Sequence, residues 1–126
     1  MNRIAESDRP EIWISRVTDD QLRAAADNLD RRVAAGEDLP LAGVLVAVKD
    51  NIDVAGLPTT AGCPAHQYQP ERSAPAVSRL IDAGTLVLGR TNLDQFATGL
   101  VGTRSPYGCP PSSGAGPGER HLPVRP

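Results

Sequence analysis

Aromatic residues are scarce in this sequence: one Trp, one Phe and two Tyr, or 3% of 126 residues. Any core must therefore be built from Ala, Val, Leu and Ile, within a hydrophobic fraction of 40%. Basic charge is not in excess either, with 13 Lys+Arg against 15 Asp+Glu and a net charge of −2. That balance argues against a nucleic-acid partner held by phosphate neutralisation, which needs clustered Lys and Arg. No apolar run approaches the ~18 residues of a membrane span, and residues 1–8 lack the apolar core of an export signal. A cytoplasmic protein with no membrane partner is the expectation. Cysteine is limited to Cys63 and Cys109, too few for a disulfide scaffold or a zinc site. Both read as ordinary small residues. His66 and His121 have no partner at metal-ligand spacing, so no metal is expected.

Glycine and proline are plentiful, 12 of each, and their distribution is uneven. Residues 109–126 hold five prolines and three glycines in 18 positions, with no helical or strand periodicity. Such a stretch buries too little apolar surface to offset its ordering entropy, so it is expected to be a disordered tail. Residues 1–108 are expected to carry the structured part. The length suits one small domain or part of a larger one, since domains cluster near ~100–150 residues.

Within residues 1–17 the sequence is ambiguous, with Ile12-Trp13-Ile14 as the one apolar anchor. Thr18-Asp19-Asp20-Gln21 fits a capping box, and Leu22, Ala25, Ala26, Leu29 and Val33 then recur at helical spacing up to Gly36. This predicts an amphipathic helix over about 18–35. Val44-Leu45-Val46-Ala47-Val48 is a continuous apolar run, as in a strand covered on both faces of a parallel sheet. A second helix begins at Ser73-Ala74-Pro75, with Ala76, Val77, Leu80 and Ile81 as its buried stripe and Gly84 as its stop. Thr85-Leu86-Val87-Leu88-Gly89 is a second buried strand. Strand, loop, helix and strand make a βαβ unit with a parallel pair. Residues 93–97 fit one short helix, and Gly102, Ser105, Pro106 and Gly108 mark a turn-rich loop.

Lys49 is the residue that asks for a chemical explanation. It follows the first buried strand at its carboxyl end, where open α/β sheets place their ligand sites. Desolvation there disfavours the ammonium form, and a neutral amine serves as a general base. Asp50 and Asp53 would oppose that shift if they approached the amine. A solvated strand end is the alternative reading. Thr59, Thr60 and Gly62 fit a pocket lining or a plain turn equally well, and Asn92 and Asp94 fit a helix cap or hydrogen bonds to the site.

The run Pro40-Leu41-Ala42-Gly43-Val44-Leu45-Val46-Ala47-Val48-Lys49-Asp50-Asn51-Ile52-Asp53 resembles the lysine motif of the amidase signature family. Gly84-Thr85-Leu86-Val87-Leu88-Gly89-Arg90-Thr91-Asn92 and Pro106-Tyr107-Gly108 are similar to its next two landmarks, in order. The stretch from Thr91 to Gly108, with Ile12-Trp13-Ile14, resembles the allophanate hydrolase branch of that family. The resemblance covers roughly residues 10–108. It implies an α/β fold, namely the N-terminal fragment of the amidase signature fold with a mixed, largely parallel sheet and flanking helices. It also implies a serine–cis-serine–lysine triad in which Lys49 accepts a proton from the intermediate serine, the second serine attacks an amide carbonyl, and backbone N–H groups stabilise the oxyanion. The substrate would be a small amide, allophanate, cleaved to release ammonia without a cofactor. Tyr107 would face the substrate, and a homodimer would suit the intact family.

One departure stands out. The family carries its serines in a Gly-Gly-Ser-Ser-x-Gly-Ser loop, and no such motif occurs here. Ser112-Ser113-Gly114 is a superficial echo in a segment without a scaffold, and Ser105 reads as a turn former. The change of composition after Pro111 suggests a frameshift or premature end of the coding sequence. Three readings follow: an allophanate-type amidohydrolase by ancestry, a fragment inactive alone, or a non-catalytic remnant that pairs with a longer subunit. For the ancestral activity, the alternative is a general amidase or the amidase-type component of an amidotransferase. Uncovered apolar faces would leave the chain marginally stable.

Overall fold

The structure, a computed structural model, describes residues 9–109. Its elements in chain order are β1 (Trp13–Arg16), α1 (Asp19–Ala34), β2 (Leu45–Lys49), α2 (Pro75–Asp82) and β3 (Leu86–Thr91). Short 3-10 turns occupy Pro10–Ile12, Pro64–His66 and Gln95–Ala97. The strands form one sheet in the order β1-β3-β2, with β2 parallel and β1 antiparallel to β3. The βαβ reading therefore holds, and the ambiguous Ile12-Trp13-Ile14 anchor resolves into the start of a third strand. Of the tail expected over 109–126, residues 110–126, with Ser112 and Ser113, lie outside the described residues.

Local chemistry explains the helices. Thr18 Oγ1 accepts from the Gln21 N–H at 3.2 Å while Gln21 Oε1 accepts from the Thr18 N–H at 2.8 Å, closing the capping box. Asp19 and Asp20 in the first turn and Arg31 and Arg32 in the last complement the helix dipole. Arg32 also satisfies the end of α2, donating to the Ile81 carbonyl at 3.2 Å and the Asp82 carbonyl at 2.7 Å. α2 starts on Pro75, whose missing N–H is no loss there, and buries Val77. Val77 packs with Val48 and Val54, and Leu57, Ala74, Ile81 and Val87 close around them. This small aliphatic core is the one the aromatic-poor composition requires.

Two expectations need correction. β2 is not covered on both faces. Its residues alternate: Val48 is buried and Val46 half-buried, while Leu45, Ala47 and Lys49 are exposed, Leu45 to 55%. β2 is an edge strand, and no described element packs on that face. Residues 93–97 do not form a helix but a 3-10 turn in which Phe96 and Ala97 adopt left-handed backbone at φ 52° and 56°. Loop-to-loop bonds override helical pairing there: Gln95 N–H donates to the Arg104 carbonyl at 3.1 Å and Phe96 N–H to the Ala61 carbonyl at 2.8 Å.

Candidate active site

Lys49 is the last residue of β2, and the register sets it beside Thr91 at the carboxyl end of β3. The strand end does not desolvate the amine, contrary to expectation: Lys49 is exposed, because it shares the bare face with Leu45 and Ala47. No hydrogen bond or ion pair holds its side chain among the described residues. The Asp50 and Asp53 carboxylates are both hydrogen-bonded to other residues.

The Asp50 carboxylate is fully buried and paired with Arg90, whose side chain is equally inaccessible. Arg90 spreads three donors over one patch: Nε to Asp50 Oδ1 at 3.1 Å, Nη1 to the Ile52 carbonyl at 2.5 Å, and Nη2 to Thr59 Oγ1 at 3.1 Å. The other Asp50 oxygen accepts from the Thr60 N–H at 3.0 Å and from the Thr60 hydroxyl. The backbone of Asp50 is pinned as well, its N–H to the Thr91 carbonyl at 3.1 Å and its carbonyl to the Ala61 N–H at 3.0 Å. Every polar atom in the cluster thus has a partner, the condition under which a buried charge pair is tolerated. Thr59 and Thr60 are 2% exposed and belong to this cluster rather than to an open pocket lining. Just outside it, Asp53 Oδ1 accepts from Thr59 Oγ1 at 2.9 Å and from the Tyr68 hydroxyl at 2.7 Å. That bond to Asp53 holds the Tyr68 phenol above its ordinary pKa.

A second polar knot follows β3 at the same end of the sheet. Asn92 donates from Nδ2 to the carbonyls of Glu11 at 2.9 Å and Gly108 at 3.0 Å, and accepts at Oδ1 from Ser105 Oγ at 2.5 Å. Ser105 Oγ in turn accepts from the Tyr107 N–H at 3.2 Å. Half-buried Tyr107 is therefore carried on a loop fastened just past Thr91, the residue paired with Lys49.

Asp94 caps no helix by its side chain. Its carboxylate accepts from the backbone N–H of Arg104 at 2.6 Å, Gly102 at 2.9 Å and Val101 at 3.2 Å. Those bonds, Arg104 first and Gly102 next, hold its pKa below the ordinary carboxylate value. A depressed folded pKa means the clasp is at full strength above the unfolded value of ~3.9 and is lost as pH falls through the folded value. We expect the amide resonances of Val101, Gly102 and Arg104 to titrate together, with a midpoint below ~3.9, in an NMR pH series. Independent movement of the three, or a midpoint at the free-aspartate value, would refute the clasp.

His66 packs edge-on against both Tyr68 and Phe96, at ring separations of 5.7 and 5.3 Å. A groove of about 290 Å³, lined by Val17, Gln21, Val54, Leu57, Thr85 and Leu86 among others, opens near the start of β3, away from Lys49. The Asp50–Arg90 pair has no signature in the sequence, since its members stand 40 residues apart. The only hint is an arginine following an apolar strand.

Comparison with known proteins adds to this geometry. The Amidase family model matches residues 1–113. Urea amidolyase of Saccharomyces cerevisiae is 54% identical over 99 residues, which cover 79% of this chain and 5% of that protein. An amidase of Pseudomonas putida is 45% identical over 89 residues, 71% of this chain and 19% of that one. Among solved structures, Kluyveromyces lactis allophanate hydrolase matches at a TM-score of 0.74 and 53% identity, over 83% of this chain and 17% of that one. The chain thus spans less than a fifth of the length of each of these relatives.

Proposed function

This chain belongs to the amidase family, and we propose on that premise that it is the lysine-bearing portion of an amidohydrolase of the allophanate hydrolase type. The observation that carries this reading is the placing of Lys49 at the carboxyl end of β2, with the next residue locked by a buried charge pair and the amine left accessible. In the reaction the Lys49 amine accepts a proton from the intermediate serine, which takes one from the nucleophilic serine. The nucleophilic oxygen bonds to the amide carbonyl carbon; the C–N bond then breaks, and the nitrogen leaves with the relayed proton as ammonia. Water adds across the resulting ester to free the acid and restore the serine. The chain has no motif for the two serines, so it supplies the base and not the nucleophile, and alone it is inactive. Tyr107, on its tethered loop, is the substrate-facing residue in this reading.

A chimera tests it. Residues 10–108 replace the aligned segment of yeast urea amidolyase, and ammonia release from allophanate is measured. Retained release that Lys49→Ala reduces by at least ~10³-fold is the expected result, in line with loss of a triad member. A chimera that folds but ignores allophanate while cleaving simple amides would favour the general amidase or amidotransferase reading instead. The unfused chain is expected to release no ammonia from either substrate.

A further inference from the structure

The ladder between β2 and β3 has one irregularity, and it lies just before Lys49. Leu45 pairs with Leu86 and Val46 with Val87, but Ala47 pairs with Gly89, so Leu88 is skipped as a β-bulge. Gly89 sits at φ +156°, and a glycine inside a strand commonly marks such a bulge. Paired residues of a parallel ladder project to the same face, and a one-residue slip moves every later side chain to the other one. An unbroken ladder would set Arg90 opposite Lys49, two cations on one face, which is unfavourable. With Leu88 skipped, Arg90 pairs with Val48 and Thr91 with Lys49. Val48 and Asp50, two residues apart, are both buried. Arg90 therefore meets the Asp50 carboxylate on that face, wholly out of water.

We infer that this bulge positions the Lys49 base of the proposed reaction, and that Thr60 is a further positioning residue for it. The inference rests on the function proposed above. By carrying Arg90 to the buried face, the bulge does two things at once. It anchors the residue after Lys49 from behind, with Arg90 on one Asp50 oxygen and Thr60 on the other. It also leaves the Lys49 amine without an ion pair among the described residues, free to take the serine proton. The Thr60 hydroxyl donates to Asp50 Oδ2 and accepts from the Gly62 N–H at 3.2 Å. At 2% exposure Thr60 acts through Asp50 rather than on a substrate. A base works only in the right geometry, and a small displacement costs much of the rate. Loosening this anchor should therefore lower turnover and leave substrate binding alone.

Lys49 is the only lysine in the sequence, so isotope-labelled lysine in the full 126-residue chain reports on that residue alone. Its side-chain protons are expected to show nuclear Overhauser contacts to the Thr91 methyl group rather than to the Arg90 side chain. Contacts to Arg90, or to neither residue, would overturn the bulge. In the urea amidolyase chimera, Thr60→Val should lower kcat for allophanate at least ~10-fold with KM changed less than about twofold. Thr60→Ser, which keeps the hydroxyl, should return kcat to within about threefold of the parent chimera. Leu29→Ala empties a buried position in α1 and should leave kcat within about twofold. A kcat unchanged by Thr60→Val, an equal fall in Leu29→Ala, no rescue by Thr60→Ser, or a Thr60→Val chimera that does not fold would each overturn the positioning role. A parent chimera that cleaves no amide would refute the proposed function and this role with it, while the contacts of Lys49 would still decide the register.

Discussion

Replacing Arg90 with leucine should abolish the cooperative unfolding transition of this chain at room temperature. The side chain is wholly inaccessible, and its three donors reach Asp50, Ile52 and Thr59. Leucine removes all three and leaves the Asp50 carboxylate buried with Thr60 as its remaining side-chain partner. Breaking a buried pair from one side costs about 3–5 kcal/mol, against a total of about 5–15 kcal/mol for an ordinary domain. A small core of Val48, Val54 and Val77 with one bare strand face places this chain at the low end of that range. Urea titration followed by circular dichroism measures the effect. Arg90→Lys should recover little, because a single ammonium cannot span three acceptors in fork geometry. The double variant Arg90→Leu/Asp50→Leu should be more stable than Arg90→Leu alone, since it removes the orphaned charge as well. A loss below about 1 kcal/mol for Arg90→Leu would mean that water reaches the cluster in solution.

Gly89→Ala should be almost as damaging, for a steric reason. Gly89 sits in β3 at φ +156°, and a Cβ built on it would lie 2.4 Å from the Ser15 carbonyl oxygen and 2.8 Å from the Arg16 Cα. Both are backbone atoms of β1, so no side chain can swing aside. β1 is held there by pairing of Arg16 with Gly89 and by the Val17 N–H donating to the Leu88 carbonyl at 3.0 Å. One methyl group therefore pushes the strand off the sheet. Overpacking against backbone together with an unfavourable φ amounts to about 2–4 kcal/mol. Trp13 begins β1 and is the only tryptophan, so its fluorescence should shift to the red while α1 and the β2–β3 pair keep their circular dichroism. An unchanged emission maximum would show that β1 tolerates the methyl group.

How far the sequence speaks for itself varies by element. α1 is legible because its signal is local: a threonine, a glutamine three residues on, and a stripe at helical spacing. The parallel pair is legible because two apolar runs flank a helix pattern. β1 is not, since three apolar residues make no period, and its pairing depends on a glycine more than 70 residues later. The covering of β2 misleads for a different reason. Five apolar residues in a row say that both faces suit burial, and they do not say whether the burying partner is present. At the site, Lys49 is legible from the family motif, whereas the Asp50–Arg90–Thr60 cluster joins residues 10 and 40 positions apart and leaves no periodic trace. Asp94 fits a cap by residue type, and it does bind backbone N–H groups, though those of a loop that comes after it.

The separation between Asp50 and Arg90 has a consequence for how the polypeptide comes into being. Synthesis runs from the amino end, so the acidic partner leaves the ribosome 40 residues ahead of the basic one. Thr60 and Ala61 follow Asp50 early in that interval and can bond to it, whereas the guanidinium arrives last. The strand end is therefore fully fixed only after translation has passed the codon for Arg90.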